Sequence, residues 1–155
     1  MALAGGVAGL LAVAGVVWSA WPADEAEPRP REYADVTACL LTDQKGVAGA
    51  AAAPVWASMQ AASERTLGQV QYLAVSGEQS VANAQTFVGT LVLGRCAVIV
   101  AAPGIADDAV RAVAGQQVQQ KFVVVGGAEP TTANVSRVDP GQLTSVIESV
   151  LTTKK

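Results

Sequence analysis

Short runs of β-branched apolar residues alternate with amphipathic segments along most of this chain, and this alternation limits the possible folds severely. Strands are predicted at 36–41, 70–75, 97–101 and 122–125, with a short fifth strand at 134–138. Helical spacing of apolar residues fills the segments 54–66, 79–93, 107–119 and the stretch after Asp139. The order βαβαβαββα predicts an α/β fold, with a parallel sheet covered by helices on both faces. We expect the doubly wound strand order 2-1-3-4-5.

The starts of the predicted helices carry ordinary start signals. Pro54 suits a first helical position, and Asp107 and Asp108 suit the positive end of a helix dipole. Asp139 is expected to cap the last helix, with Pro140 at its first position. That helix should bury one apolar stripe, formed by Leu143, Val146, Ile147, Val150 and Leu151.

Composition excludes several classes of function. The chain has 155 residues, of which 51% are hydrophobic and 15% charged, so it can bury a core and is not disordered. Its net charge of −3 argues against a nucleic-acid partner. The absence of histidine removes His-based acid–base catalysis and most transition-metal sites. We therefore expect no enzyme activity, no metal and no cofactor.

The first 23 residues contain no ionisable side chain and are long enough to cross a bilayer. Trp18 and Trp21 lie at the end of this segment, where aromatic rings favour the membrane interface. A single-pass transmembrane anchor, or an uncleaved signal segment, is the favoured interpretation. A cleaved signal peptide and a buried apolar helix are the alternatives. Residues 24–32 form a charged linker, and 33–155 form the α/β domain.

A ligand of such a sheet is expected beyond the carboxyl ends of the strands, where the first and third strands diverge. The residues at this edge are the candidate ligand-binding set: Thr42, Asp43, Gly46, Pro103, Gly104, Gly126 and Gly127. Asp43 is the only acid among them, and a turn or capping role is its favoured interpretation. The third strand ends without an aspartate, which excludes a phospho-receiver. The loop after the first strand is poor in Ser and Thr, so mononucleotide binding has little support.

The two cysteines fall on neighbouring strands of the predicted sheet. Cys39 lies within the first strand and Cys96 at the start of the third. A bridge is conceivable in an oxidising compartment, but the two residues should differ in height along the sheet. The favoured expectation is a pair of buried thiols that act as small hydrophobes.

Several short motifs resemble one family. They are Thr42-Asp43-x-x-Gly46-Val47, Trp56-Ala57-Ser58-Met59-Gln60, Arg95–Val100, Lys121–Val125 and Asn134-Val135. Together they are similar to the basic membrane protein (BMP) family of substrate-binding lipoproteins, over about residues 36–138. That resemblance implies a type I periplasmic-binding-protein fold, in a family that presents nucleosides and related ligands to ABC transporters.

The departures from the family pattern change the expected function. The family's acidic and asparagine-containing block corresponds to the Ala/Gly run at 48–53, and its aspartate after the fourth strand corresponds to Gly126. We also expect one lobe, where such receptors close two lobes around a ligand. The resemblance therefore implies the fold and an extracytoplasmic domain, but not a complete receptor. By contrast, Arg29 and Arg31 beside the apolar segment favour a cytoplasmic domain.

These observations predict a membrane-anchored, non-catalytic BMP-like module for interaction or accessory binding. The alternative is a reduced solute-binding protein that works with an ABC transporter, either alone or as a dimer. The partners expected are the membrane, a protein partner or second copy, and a small-molecule ligand, with no nucleic acid.

Overall fold

A computed structural model describes residues 32–153, which form a five-stranded parallel sheet with helices on both faces. The strand order is β2-β1-β3-β4-β5, which confirms the predicted doubly wound order. The strands are β1 (Ala34–Thr42), β2 (Gly68–Ala74), β3 (Val98–Ala101), β4 (Phe122–Val125) and β5 (Val135–Val138). The helices are α1 (Ala53–Thr66), α2 (Val81–Leu93), α3 (Ile105–Val113) and α4 (Leu143–Thr152).

The core has two layers, one on each face of the sheet. Helices α1 and α4 cover one face, where Met59 and Ile147 are fully buried. Helices α2 and α3 cover the other, around Val88 and Val110. Strands β3 and β4 are buried along their whole length, which explains why neither contains a polar residue.

Helix α3 is shorter than predicted and begins two residues earlier. Gly104, at φ 110°, precedes its first turn, and the two predicted acids lie inside that turn. The α-helix ends at Val113 and passes directly into a 3-10 turn, Ala114–Gln116. The Asn134 Nδ2 atom donates to the carbonyl oxygens of Ala114, Gln117 and Gln120 at 3.0–3.1 Å.

The predicted capping role of Asp139 is wrong. Its side chain accepts no hydrogen bond from the following 3-10 turn, Pro140–Gln142, and instead lies 3.3 Å from Arg137. Arg137 also donates to Glu129 at 2.6 Å, and this hydrogen bond raises the pKa of Arg137 above its ordinary value. Helix α4 then buries Leu143, Ile147 and Leu151, whereas Val146 and Val150 are half-buried.

The expectation of two free thiols is also wrong, because Cys39 and Cys96 form a disulfide. Cys39 pairs with Ile99 in the β1–β3 register, so a Cys96 within the strand would lie about 10 Å away along the sheet. Their Cα atoms are only 5.8 Å apart. Cys96 lies in the connection from α2 to β3, before the strand begins. Helix α2 covers the sheet face on which Cys39 lies, so Cys96 is on the same side of the sheet as Cys39.

The predicted membrane segment at 1–23 and most of the linker lie outside the described residues. Among the residues that the structure does describe, no helix is long and apolar enough to span a membrane.

Candidate functional site

The carboxyl ends of the strands lie at one edge of the sheet, as the candidate site requires. Leu41 of β1 pairs with Ala101 of β3, which pairs in turn with Val124 of β4. The next residue after β3, Ala102, donates its N–H to the Leu41 carbonyl at 3.0 Å. The loops after β1, β3 and β4 therefore start side by side, and we call this the carboxyl edge.

Two polar groups of the predicted set are bonded within the first loop itself. Thr42 is fully buried, and its hydroxyl donates to the Asp43 carbonyl at 3.0 Å. The Asp43 carboxylate accepts the Lys45 N–H at 2.9 Å, which is an Asx turn. Gly46 has φ 60° and lies under the ring of Tyr72, whose nearest atom is 3.5 Å from where a Cβ would be. Asp43 therefore stabilises the turn, which confirms the turn role predicted from the sequence.

Two side chains that sequence reasoning missed hold the neighbouring loop, at 75–80. Gln79 accepts the Gln44 N–H at 3.0 Å and donates to the Val75 carbonyl at 2.9 Å, which ties this loop to the one after β1. Asn83 donates to the carbonyls of Ser76 and Glu78 at 2.8 and 2.7 Å. No motif indicated these contacts: the Gln44–Gln79 bond joins loops that only the fold brings together, and the Asn83 bonds depend on how the short loop at 75–80 is folded.

Arg111 forms an ion pair within α3 and also ties this helix to the loop after β4. Arg111 donates to the Asp107 carboxylate at 2.6 Å and to the Ala128 carbonyl at 2.9 Å. Gly127, at φ 73°, lies against both side chains of this pair, so it is part of the packing. Gly104 and Gly126 also have positive φ, and the space where a Cβ would be is open at both. Pro103, Gly104 and Gly127 are the exposed members of the predicted set, and Gly126 is half-buried.

An apolar cavity of about 160 Å³ opens at the carboxyl edge, on the face covered by α1 and α4. Ser58 supplies its only polar side chain, and that hydroxyl already donates to the Pro54 carbonyl at 3.0 Å. The lining residues are Ala51, Pro54, Val55, Ser58, Pro103, Val125, Pro140 and Leu143.

The cavity coincides with the predicted set only at Pro103. The structure places Thr42, Asp43 and Gly46 at the same edge but not in the cavity wall. Three of the lining residues are prolines that follow a strand or begin a helical turn, namely Pro54, Pro103 and Pro140. This shared position is the sequence signal that could have predicted the cavity, because a segment that follows a parallel strand begins at the carboxyl edge.

The carboxyl edge combines engaged polar groups with an apolar opening. Within residues 32–153 no group of three or more Asp, Glu or Cys side chains could hold a metal ion. The acid–base pairs at the edge are engaged within the fold: Arg111 with Asp107 and the Ala128 carbonyl, and Arg137 with Glu129 and Asp139. The open space is bounded by apolar side chains, which favour an uncharged group.

Comparison with known proteins identifies the fold. No family model matches the sequence, and no curated protein sequence matches it. The chain is similar to a fragment from Peptoclostridium difficile 630 described as a lipoprotein, with TM-score 0.63 and 11% identity over 76% of this chain and 99% of that one. It is also similar to an ABC-transporter solute-binding protein from Aeropyrum pernix K1, with TM-score 0.53 and 17% identity over 65% of this chain.

A third similar structure is the Lac repressor bound to ONPG, with TM-score 0.52 and 13% identity over 88% of this chain. These neighbours are consistent with a periplasmic-binding-protein-like fold. The chain covers only 28% of the solute-binding protein and 40% of the repressor, so it spans less than half of either. At these identities the likeness concerns the fold alone, and the resemblance to the BMP family stays a prediction.

Proposed function

We propose that this protein is an extracytoplasmic, non-catalytic binding module, held at the membrane by residues 1–23, that accepts an uncharged apolar group at its carboxyl edge. One observation carries the proposal. The Thr42 hydroxyl and one oxygen of the Asp43 carboxylate are bonded within their own loop, whereas an apolar cavity opens at the same edge.

The size and lining of the cavity suggest the class of group that it takes. An apolar cavity of about 150 Å³ admits a benzene-sized molecule. A cavity of about 160 Å³ therefore suits a single ring or a branched aliphatic group, from a small molecule or from a partner's side chain. A nucleoside needs several hydrogen bonds to its sugar and base, and this lining offers one hydroxyl that is already engaged.

The disulfide supports the extracytoplasmic side. Structural disulfides persist in oxidising compartments and are rare in the cytosol. The Cys39–Cys96 bridge is buried between the sheet and α2, which is the position of a structural bridge. It outweighs the two arginines of the linker as an indication of membrane orientation, because acidic residues surround those arginines.

A cavity-filling variant tests the proposal. We expect phenol and indole to raise the melting temperature of the full chain in detergent, and Ser58→Leu to abolish the shift by occupying the cavity. Ser149→Leu is the matched control. Ser149 is an exposed helical serine whose hydroxyl likewise bonds to a backbone carbonyl of its own helix, so this variant should retain the shift.

A solute receptor for an ABC transporter is the second candidate, and the likeness to the Aeropyrum pernix protein favours it. Isothermal titration with adenosine, guanosine and inosine separates the two. We expect dissociation constants above about 1 mM, or about −4 kcal/mol. Micromolar binding of a nucleoside by the monomer would contradict the apolar-group proposal and support the solute receptor.

A further inference from the structure

Strand β2 forms one edge of the sheet, and within residues 32–153 it pairs only with β1. Val75 donates its N–H to the Thr42 carbonyl at 3.0 Å, so alternate residues counted back from Val75 face β1. The backbone groups of Val70, Tyr72 and Ala74 therefore point away from the sheet.

This edge lacks the features that normally prevent strand pairing. Natural edge strands are short, or carry charges or proline. The other edge, β5, follows that pattern, because it has four residues and includes the charged Arg137. By contrast, β2 has seven residues, GQVQYLA, with no charge and no proline. Helix α2, which lies on the sheet face to which Gln71 points, also has no charged residue.

We propose that β2 pairs with β2 of a second copy of this chain, antiparallel and centred on Gln71, to join the two sheets into one. A two-fold axis at Gln71 places each Gln71 opposite its own copy, and places Val70 opposite Tyr72 of the second copy. Val70 and Tyr72 both direct their backbone groups outward, so each such pair exchanges two hydrogen bonds.

The side chains match in this register. A β-branched residue opposite an aromatic residue is a favourable cross-strand pair. The ring of Tyr72 is 48% exposed and is held in place by an edge-on contact with Trp56, at 5.5 Å between ring centroids. The two Gln71 residues meet as an uncharged pair, and each side-chain amide keeps its contact with the Cys39 sulfur of its own chain at 3.1 Å. No like charges meet along the contact, because the strand has none.

The chain's own linker is a poorer occupant of this edge. Residues 24–32 contain Pro28 and Pro30, which supply no N–H donor, and four carboxylates that would be opposed to an uncharged strand. A strand of a second copy supplies every donor and acceptor, and a closed two-fold contact leaves no further edge of this type.

The two-fold geometry makes a specific test possible. We expect the full chain in detergent to sediment as a dimer, and Gln71→Lys and Gln71→Glu each to weaken dimerisation by at least about tenfold, since each variant opposes like charges. Mixing the two variants should restore the dimer, because Lys then faces Glu. Restoration also shows that both variants are folded.

Ser136→Lys is the control, because it places the same charge at an exposed position on β5, the opposite edge. It should sediment as the wild type does. The proposal is overturned if the wild type is monomeric, if both Gln71 variants remain dimeric, or if the mixture fails to form dimers. A monomeric wild type would mean that the β2 edge does not pair with a second copy of this chain.

Discussion

Cys39 and Cys96 show how a single residue's environment decides its chemistry. Both side chains are almost completely buried, and the bridge joins the interior strand β1 to the connection between α2 and β3. The Gln71 amide lies 3.1 Å from the Cys39 sulfur, so one side of the bridge contacts a polar group of the edge strand. The bridge thus fixes the chain where it passes from α2 into β3.

Removing this bridge should lower stability strongly. The cysteines are 57 residues apart, and closing a loop of that size stabilises a fold by about 4 kcal/mol in the chain-entropy account. We expect Cys96→Ala to reduce the free energy of unfolding in urea by about that amount. Adding a reductant should lower the free energy of unfolding of the wild-type protein by a similar amount. Equal stability of the oxidised and reduced wild type would contradict a structural role.

Residues at the candidate site show what a sequence can and cannot predict there. The alternation of strands and helices located the carboxyl edge, and the turn role of Asp43 followed from its residue type. The cavity was missed because its wall comes from α1, α4 and the loop after β3, which are distant in sequence. A glycine after a strand likewise does not reveal whether a side chain such as that of Arg111 will pack over it.

At the scale of elements, patterns predicted every strand and helix in order but not every end. The limits of β4 were predicted correctly, because a buried strand between polar residues has sharp limits. The end of α3 was not: a 3-10 turn follows Val113, and Asn134, which lies beyond the next strand, bonds to the carbonyls of Ala114 and Gln117 there. Helix ends that are fixed by long-range side chains leave no local signal.

Helix α4 offers a test of packing, because its stripe contains residues of different burial. We expect Ile147→Asp to lower the free energy of unfolding by about 3 kcal/mol or more, since an unpaired carboxylate would be buried against the sheet. Val146→Asp should cost less, because Val146 is only half-buried at the margin of the same core. Urea denaturation of both variants measures the difference. Equal stabilities would mean that α4 does not dock as described.

At the scale of the whole molecule, different surfaces suit different roles. The carboxyl edge carries the cavity, whereas the β2 edge lies beside β1, at the side of the sheet. A second copy at the β2 edge would therefore leave the cavities of both copies open. Binding of an apolar group and pairing of two chains are compatible in this arrangement, and each can be tested with a variant that spares the other.

The position of the long apolar segment, before the α/β domain in the sequence, leads to a prediction for a shortened chain that begins at Tyr33. Residues 32–153 include both core layers, and Ala34 is already held by a hydrogen bond from its N–H to the Leu67 carbonyl at 2.8 Å. The long apolar stretch of the sequence lies before residue 24, so the shortened chain should dissolve without detergent and unfold in one cooperative transition. Urea denaturation followed by circular dichroism measures this. If the shortened chain aggregates while the full chain stays soluble without detergent, the membrane anchor is refuted, because the apolar segment would then be serving the domain's own core.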